Sequence, residues 1–422
     1  MSRAARFGPA QFGHAVKLLT EVLKFEHPAD AVVSRYFREN RELGHADRGF
    51  VAETVYACLR RKRSLEARCG LEIDTRRLAL VTQVCARGHN LRELDTLLRG
   101  GEGAWLSEAL ALSDDALPPA IRLDLPDWLH AALVEQYGAE ETEVLARALN
   151  QPAPLDIRVN PLKATREALL ADLQASGISA RPGELSPFAL RLAAKPALSR
   201  HPRFLDGSFE VQDEGSQLLA CLLAPKRGEM VVDFCAGAGG KTLLLGALMK
   251  NTGRLYAFDV SDKRLANLKP RLARSGLSNV HPVRIEHERD AKVKRLAGKI
   301  DRVLVDAPCS GLGTVRRNPD LKWRQSETAV SELVVKQQSI LAAAASLVKP
   351  GGVLVYATCS LLAQENDGVV EAFLHDHPAF AQRSAEQVLA RQGISVAGER
   401  LRLLPHRHQT DGFFAVLLER SA

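Results

Sequence analysis

Cys309 and Cys359 stand fifty residues apart, each just after a short apolar run: Val303-Leu304-Val305-Asp306-Ala307-Pro308-Cys309-Ser310-Gly311 and Val353-Leu354-Val355-Tyr356-Ala357-Thr358-Cys359-Ser360. A β-branched run ending in a polar or Gly/Pro cluster reads as a central strand of a parallel sheet. Ligands of such sheets bind at the carboxyl ends of the strands, so both thiols are expected on one rim, within reach of one substrate. A cysteine nucleophile serves a carbon that must be activated before it can attack. Carbon-5 of cytosine is such a carbon. Thiolate addition at carbon-6 makes carbon-5 enamine-like, and it then takes a methyl group from a sulfonium; a base removes the carbon-5 proton and the thiolate leaves. Asp306 is placed to meet ring nitrogen-3 and stabilise the adduct. Taken alone, either cysteine reads as a small filler at a strand end. Two of them, flanked by Asp-Ala-Pro and Thr-x-Ser, favour the chemical reading, and a reducing cytoplasm disfavours a disulfide between them.

A second chemical segment is Val231-Val232-Asp233-Phe234-Cys235-Ala236-Gly237-Ala238-Gly239-Gly240-Lys241-Thr242. A glycine-rich turn between strand and helix lets backbone amides approach a ligand closely. The Walker A pattern needs glycine where Cys235 stands, and the dinucleotide pattern needs glycine where Thr242 stands. What remains is a turn followed, one strand later, by Asp259 in Tyr256-Ala257-Phe258-Asp259-Val260-Ser261. An acid there can accept hydrogen bonds from ribose hydroxyls; its ordinary alternative is a helix cap. This arrangement suits S-adenosylmethionine, which carries a nucleoside and no phosphate. The next strand ends in Glu286-His287-Glu288-Arg289-Asp290, where Asp290 is the choice for the adenine amino group and Glu286 and Glu288 compete. After Cys309 comes a basic loop with one tryptophan, in which Arg316, Arg317, Lys322 and Trp323 are expected to meet RNA phosphates and a base, the ordinary alternative being a merely solvated loop.

The elements that must position these residues form a strand–loop–helix series from about residue 226: strands near 230–234, 254–259, 282–286, 302–306 and 353–357, a helix over 331–348 and a last strand in 412–418. This is a doubly wound α/β domain, 226–422. Before it, 151–222 reads as a small α+β module with strands near 155–160, 190–193 and 208–212, and a helix from Thr165, a candidate cap. Residues 1–112 read as helical from Ala15, Leu18, Leu19, Val22 and Leu23 and from Val51, Val55 and Leu59. Residues 120–150 form a helical linker region.

These segments resemble the RsmB/Sun/Nop family of RNA cytosine-5 methyltransferases, closest to its bacterial members acting on small-subunit ribosomal RNA. The resemblance rests on Asp233 to Thr242, Asp306 to Gly311, Arg316-Arg317-Asn318-Pro319 through Trp323, and Tyr356 to Ser360 followed by Glu365-Asn366, and covers about 125–422. It implies a class I S-adenosylmethionine-dependent methyltransferase fold, Rossmann-like, with an α+β RNA-binding module and an N-terminal NusB-like helical domain. It implies Cys359 as nucleophile and Cys309 as the residue assisting product release. Cys235, Ala236, Gly237, Ala238, Gly239, Gly240, Lys241, Asp259, Asp290 and Asp306 would line the cofactor site. Ala238 stands where the family's loop carries proline, leaving the glycines and Lys241 intact.

The whole chain agrees with that class. Of its 422 residues 46% are hydrophobic and 25% charged, ordinary for a soluble protein. No run approaches the roughly 18 apolar residues of a membrane span, and the basic N-terminus lacks a signal-peptide core, so a cytoplasmic protein is expected. Seven scattered cysteines and twelve histidines show neither a disulfide framework nor zinc-ligand spacing, so no metal is expected. The net charge of +7 suits a polyanionic partner. The expected partner is RNA and the expected oligomeric state a monomer. The competing reading is a non-catalytic RNA-binding ribosome-assembly factor that keeps the methyltransferase fold; both thiols together with Asp306 argue against it.

Overall fold

Residues 7–70 and 72–422 are described by the computed structural model. The basic residues 1–6, where no signal peptide is expected, lie outside the described residues. The chain divides into two units, residues 1–152 with 314–326, and residues 153–313 with 327–422.

The first unit is helical. Apolar residues at i, i+3 and i+4 put Ala15, Leu18, Leu19 and Val22 of helix Pro9–Val22 into one core with Val51, Val55 and Leu59 of helix His45–Arg60. Cys58 and Cys69 fill gaps in that core. No described helix is long and apolar enough to cross a membrane.

The second unit holds two sheets. The small one pairs β1 (Leu155–Val159), β2 (Ala180–Pro182), β3 (Ala189–Leu192) and β4 (Phe209–Val211) in the antiparallel order β2-β3-β1-β4. A helix, Arg166–Ala175, follows β1, and Thr165 caps it by accepting from the Ala168 amide.

The large sheet runs β10-β12-β9-β8-β5-β6-β7, with β11 paired to β12. Its strands are β5 (Met230–Asp233), β6 (Arg254–Asp259), β7 (Val280–Arg284), β8 (Ile300–Asp306), β9 (Val348–Thr358), β10 (Phe380–Arg383), β11 (Leu401–Leu403) and β12 (Phe413–Arg420). β7, β6, β5, β8 and β9 are parallel, and β12 lies antiparallel against β9. Alternation sends Val232, Val303, Val305, Tyr356 and Phe414 into one core and Val231, Leu304, Val355, Ala357 and Phe413 into the other. Both faces are covered, which is why these runs are apolar throughout. The strand order reverses between β6-β5 and β5-β8, and a crevice opens there at the carboxyl ends.

Candidate active site

Four strand ends supply the site. After β5 the chain turns through Cys235–Gly239 into helix Gly240–Leu248. Gly237 (φ 57°) and Gly239 (φ 81°) occupy the left-handed region. A Cβ at Gly239 would stand 2.1 Å from Leu268 Cδ1, whereas one at Gly237 would meet nothing within 4 Å. The second glycine therefore permits close packing, and the first leaves the backbone open. Asp259, the last residue of β6, accepts from the Gly237 amide at 2.8 Å and from the Ser261 amide at 2.7 Å. Ser261, not Asp259, caps the helix that follows.

Lys241 Nζ lies 2.6 Å from Asp306 Oδ2 at the end of β8. Burial opposes the lysine's charge, but Asp306 outweighs it and holds the ammonium above its usual range. Engaged this way, Lys241 is not directed at a phosphate. Beneath it, Asp233 accepts from the Thr242 hydroxyl at 2.7 Å and is pushed up by burial to about 7.

The two thiols meet. Cys309 Sγ lies 3.4 Å from Cys359 Sγ, and neither is in a disulfide. The hydrogen bond to Cys359, then burial, then the charges of Cys359 and Glu365 raise Cys309 well above an ordinary thiol. Cys309 thus holds its proton, and either sulfur can be the donor across the 3.4 Å contact. The two loops are laced together: the Gly313 amide donates to the Cys359 carbonyl at 2.8 Å, and the Gly412 amide to the Gly313 carbonyl at 2.8 Å. A Cβ at Gly313 would stand 2.2 Å from the Gly412 oxygen, so only glycine fits.

A cavity of about 790 Å³ joins these groups, within the range of small-molecule sites. Cys235, Ala236, Gly237, Ala238, Gly240, Lys241, Asp259, Asp306, Cys309 and Cys359 all line it. Gly239 does not, being turned against Leu268. Asp290 does not either: one carboxylate oxygen accepts from the Lys292 amide at 2.8 Å and the other from the Glu286 amide at 2.9 Å, capping the short helix Ala291–Lys294. The acid of that segment that reaches the cavity is Glu288, which accepts from Ser339 Oγ at 2.7 Å. Capping and ligand contact ask for the same residue type, so the sequence could not separate them. An open glycine turn, the Asp259 carboxylate beside it and further carboxylates from Asp306 and Glu288 fit a nucleoside joined to a cation, as in S-adenosylmethionine.

The basic loop after Cys309 departs from expectation. Residues 314–326 belong to the helical unit. Lys322 is fully buried, its ammonium donating to the Arg60 carbonyl (2.9 Å) and Asn150 Oδ1 (2.7 Å), and burial lowers its pKa to about 7. Trp323 donates from Nε1 to the Leu59 carbonyl at 2.7 Å and packs against the helical core. Arg316 is buried and Arg317 half-buried. An RNA-facing Lys322 is thereby corrected: its charge is turned inward. Sequence reading also gave no role to Glu365 and Gln337. Both are buried beneath the cysteine loops, and no periodicity marks a buried polar residue.

Residues 220–419 match the family described as 16S rRNA methyltransferase RsmB/F, and residues 125–199 match its ferredoxin-like domain. A probable ribosomal RNA small subunit methyltransferase B of Synechocystis is 32% identical over 96% of this chain and 98% of its own length. Among solved structures, one described as PH0851 is 27% identical, covers 98% of this chain and 99% of its own, and superposes with a TM-score of 0.78. A methyltransferase homologue from Pyrococcus horikoshii is 29% identical, over 73% of this chain and all of its own, with a TM-score of 0.62.

Proposed function

Because the chain belongs to the RsmB/F family of 16S rRNA methyltransferases, which depend on S-adenosylmethionine, we propose that it methylates carbon-5 of a cytidine in small-subunit ribosomal RNA through a covalent adduct on Cys359. The observation that carries this reading is the 3.4 Å approach of two thiols at the rim of one cavity that Gly237, Lys241 and Asp259 also line.

The loop from Cys235 to Lys241, together with Asp259, would hold the methyl donor. When bound, S-adenosylmethionine supplies an electrophilic methyl group on a sulfonium. The protein's own residues do the rest. The contact with Cys359 and burial hold the proton on Cys309, and Cys359 attacks as the thiolate. That thiolate adds to carbon-6 of a cytosine brought into the cavity. The Lys241–Asp306 pair lines the same cavity, and Asp306 would accept a hydrogen bond from nitrogen-3 of the adduct once that nitrogen has taken a proton from solvent. Once carbon-5 has been methylated and its proton has left to a base, the bond to Cys359 breaks, and the Cys309 S–H stabilises the departing thiolate. A stacked base hides carbon-6, so the target must be unpaired or flipped out, at a cost of a few kcal/mol.

The test is trapping. Cys309→Ala, incubated with the donor and 16S rRNA, is expected to accumulate a protein–RNA adduct that survives a denaturing gel, because departure loses its donor. Cys359→Ala should form none. An adduct on Cys359→Ala would reverse the roles of the two thiols.

A further inference from the structure

We propose that Glu365 is a positioning residue whose buried carboxylate holds the two cysteine loops at the spacing one target base requires. The proposal rests on the roles given above to Cys309 and Cys359. Glu365 is fully buried, in the 3-10 turn Ala363–Glu365 that follows β9. One of its oxygens accepts from the Ser310 amide (2.8 Å) and Gln337 Nε2 (2.9 Å). The other accepts from the hydroxyl of Ser310 (2.5 Å) and from that of Ser360. Ser310 directly follows Cys309, and Ser360 directly follows Cys359. A single carboxylate therefore grips both cysteine-bearing loops at the residue next to each sulfur.

The grip is braced on both sides. Gln337 Nε2 also donates to the carbonyl of Pro308, the residue before Cys309, at 3.0 Å. The Tyr356 hydroxyl, on β9, donates to the main-chain oxygen of Glu365 at 2.7 Å, which ties the turn to the strand carrying Cys359. Four donors converge on the carboxylate, and an ionised carboxylate is the side chain that offers about four lone-pair sites and no proton. Packing alone would not call for it: an apolar side chain of similar volume fills a buried site without the cost of desolvating a charge. Among the described residues Glu365 has no ion-pair partner, so hydrogen bonds from the two loops are what hold its charge there. The same charge adds to the effects that keep the proton on Cys309.

The test uses the full-length protein and two readouts. The first is methyl transfer, resolved into kcat and the KM for S-adenosylmethionine. The second is the rate at which diamide joins Cys309 to Cys359 without RNA, read by mass spectrometry; each event oxidises two thiols to one disulfide and reduces the azo bond of diamide to a hydrazine, which takes up both protons. Glu365→Ala is expected to lower kcat about 100-fold, the scale of a 1 Å misplacement, with KM changed less than about twofold. It should slow cross-linking about tenfold, because the thiols lose part of their effective molarity. Glu365→Gln keeps the shape and one acceptor, and the two serine hydroxyls can rotate to accept from its amide. It should return cross-linking to within about threefold of the parent. If Glu365→Ala does not fold, Ser310→Ala and Ser360→Ala, each removing one donor, should slow cross-linking in smaller steps. An unchanged cross-linking rate in a folded Glu365→Ala protein, or in both serine variants, overturns the proposal. Absence of RNA methylation by the parent, with the cross-linking difference intact, would instead sink the functional reading.

Discussion

At Asp233 a carboxyl ends a strand inside a sheet covered on both faces. It is 1% exposed, one oxygen bonded to the Thr242 hydroxyl and the other without a hydrogen-bond partner among the described groups. Burial is the largest cause of its rise to about 7; Asp306 and Asp259 push the same way, and Thr242 and Lys241 oppose them. The folded-state value exceeds the unfolded one of roughly 3.9, so the folded protein binds the extra proton between them. That contribution to stability is complete below about pH 4 and is lost as pH rises through about 7. The gap between the folded and unfolded values is worth about 4 kcal/mol at most. Asp233→Asn should flatten this slope, melting above the parent at pH 8 while differing little from it near pH 4. Parallel melting curves for the two proteins over pH 4–8 would mean that the carboxyl stays ionised.

The basic loop raises the matching question for a whole element. Segment 314–326 is held by the Trp323 indole against Leu59, by the ammonium groups of Lys62 (5.4 Å) and Lys322 (4.8 Å) near the ring, and by Asp320, whose carboxylate accepts from the Ala29 amide at 3.1 Å. Trp323→Ala should therefore cost about 3 kcal/mol and release the segment. Trypsin cleavage among Arg316, Arg317, Lys322 and Arg324 should rise sharply; protection equal to the parent's would show that the indole does not anchor it. The sequence could not tell this arrangement from an RNA-facing loop, because cations beside an aromatic look alike whether they point outward or inward. Elsewhere the elements were legible where physics leaves a period. The runs at 230–233 and 254–259, the Thr165 cap and the shared rim of Cys309 and Cys359 all follow from apolar runs or capping chemistry. β9 begins at Val348, through Pro350-Gly351-Gly352, where composition argues for a turn. β2 and β10, partly exposed strands at the sheet edges, and β11, three residues off the main strand order, display no apolar run to read. Glu288 rather than Asp290 reaches the cavity because the helix start occupies one oxygen of Asp290 and the Glu286 amide the other.

For the whole molecule, a net charge of +7 can be spent on phosphates only by cations that face solvent. Lys322 counts toward that sum in the sequence but not at the surface, since its ammonium is fully buried against Arg60 and Asn150. This distinction has a measurable form. Affinity for RNA falls with salt as counterions are released, with a log–log slope that changes by about 0.7 for each contact to a single-stranded phosphate. Lys322→Ala is therefore expected to leave the slope of the full-length protein unchanged over roughly 50–200 mM salt, the usual span of such titrations. Its affinity at any one salt concentration can still drop, because the variant leaves the Arg60 carbonyl and Asn150 Oδ1 without their donor and loosens segment 314–326. A loss of affinity that is uniform across salt marks a cation acting through the fold. A slope smaller by about 0.7 would return Lys322 to the RNA surface and require segment 314–326 to rearrange on binding.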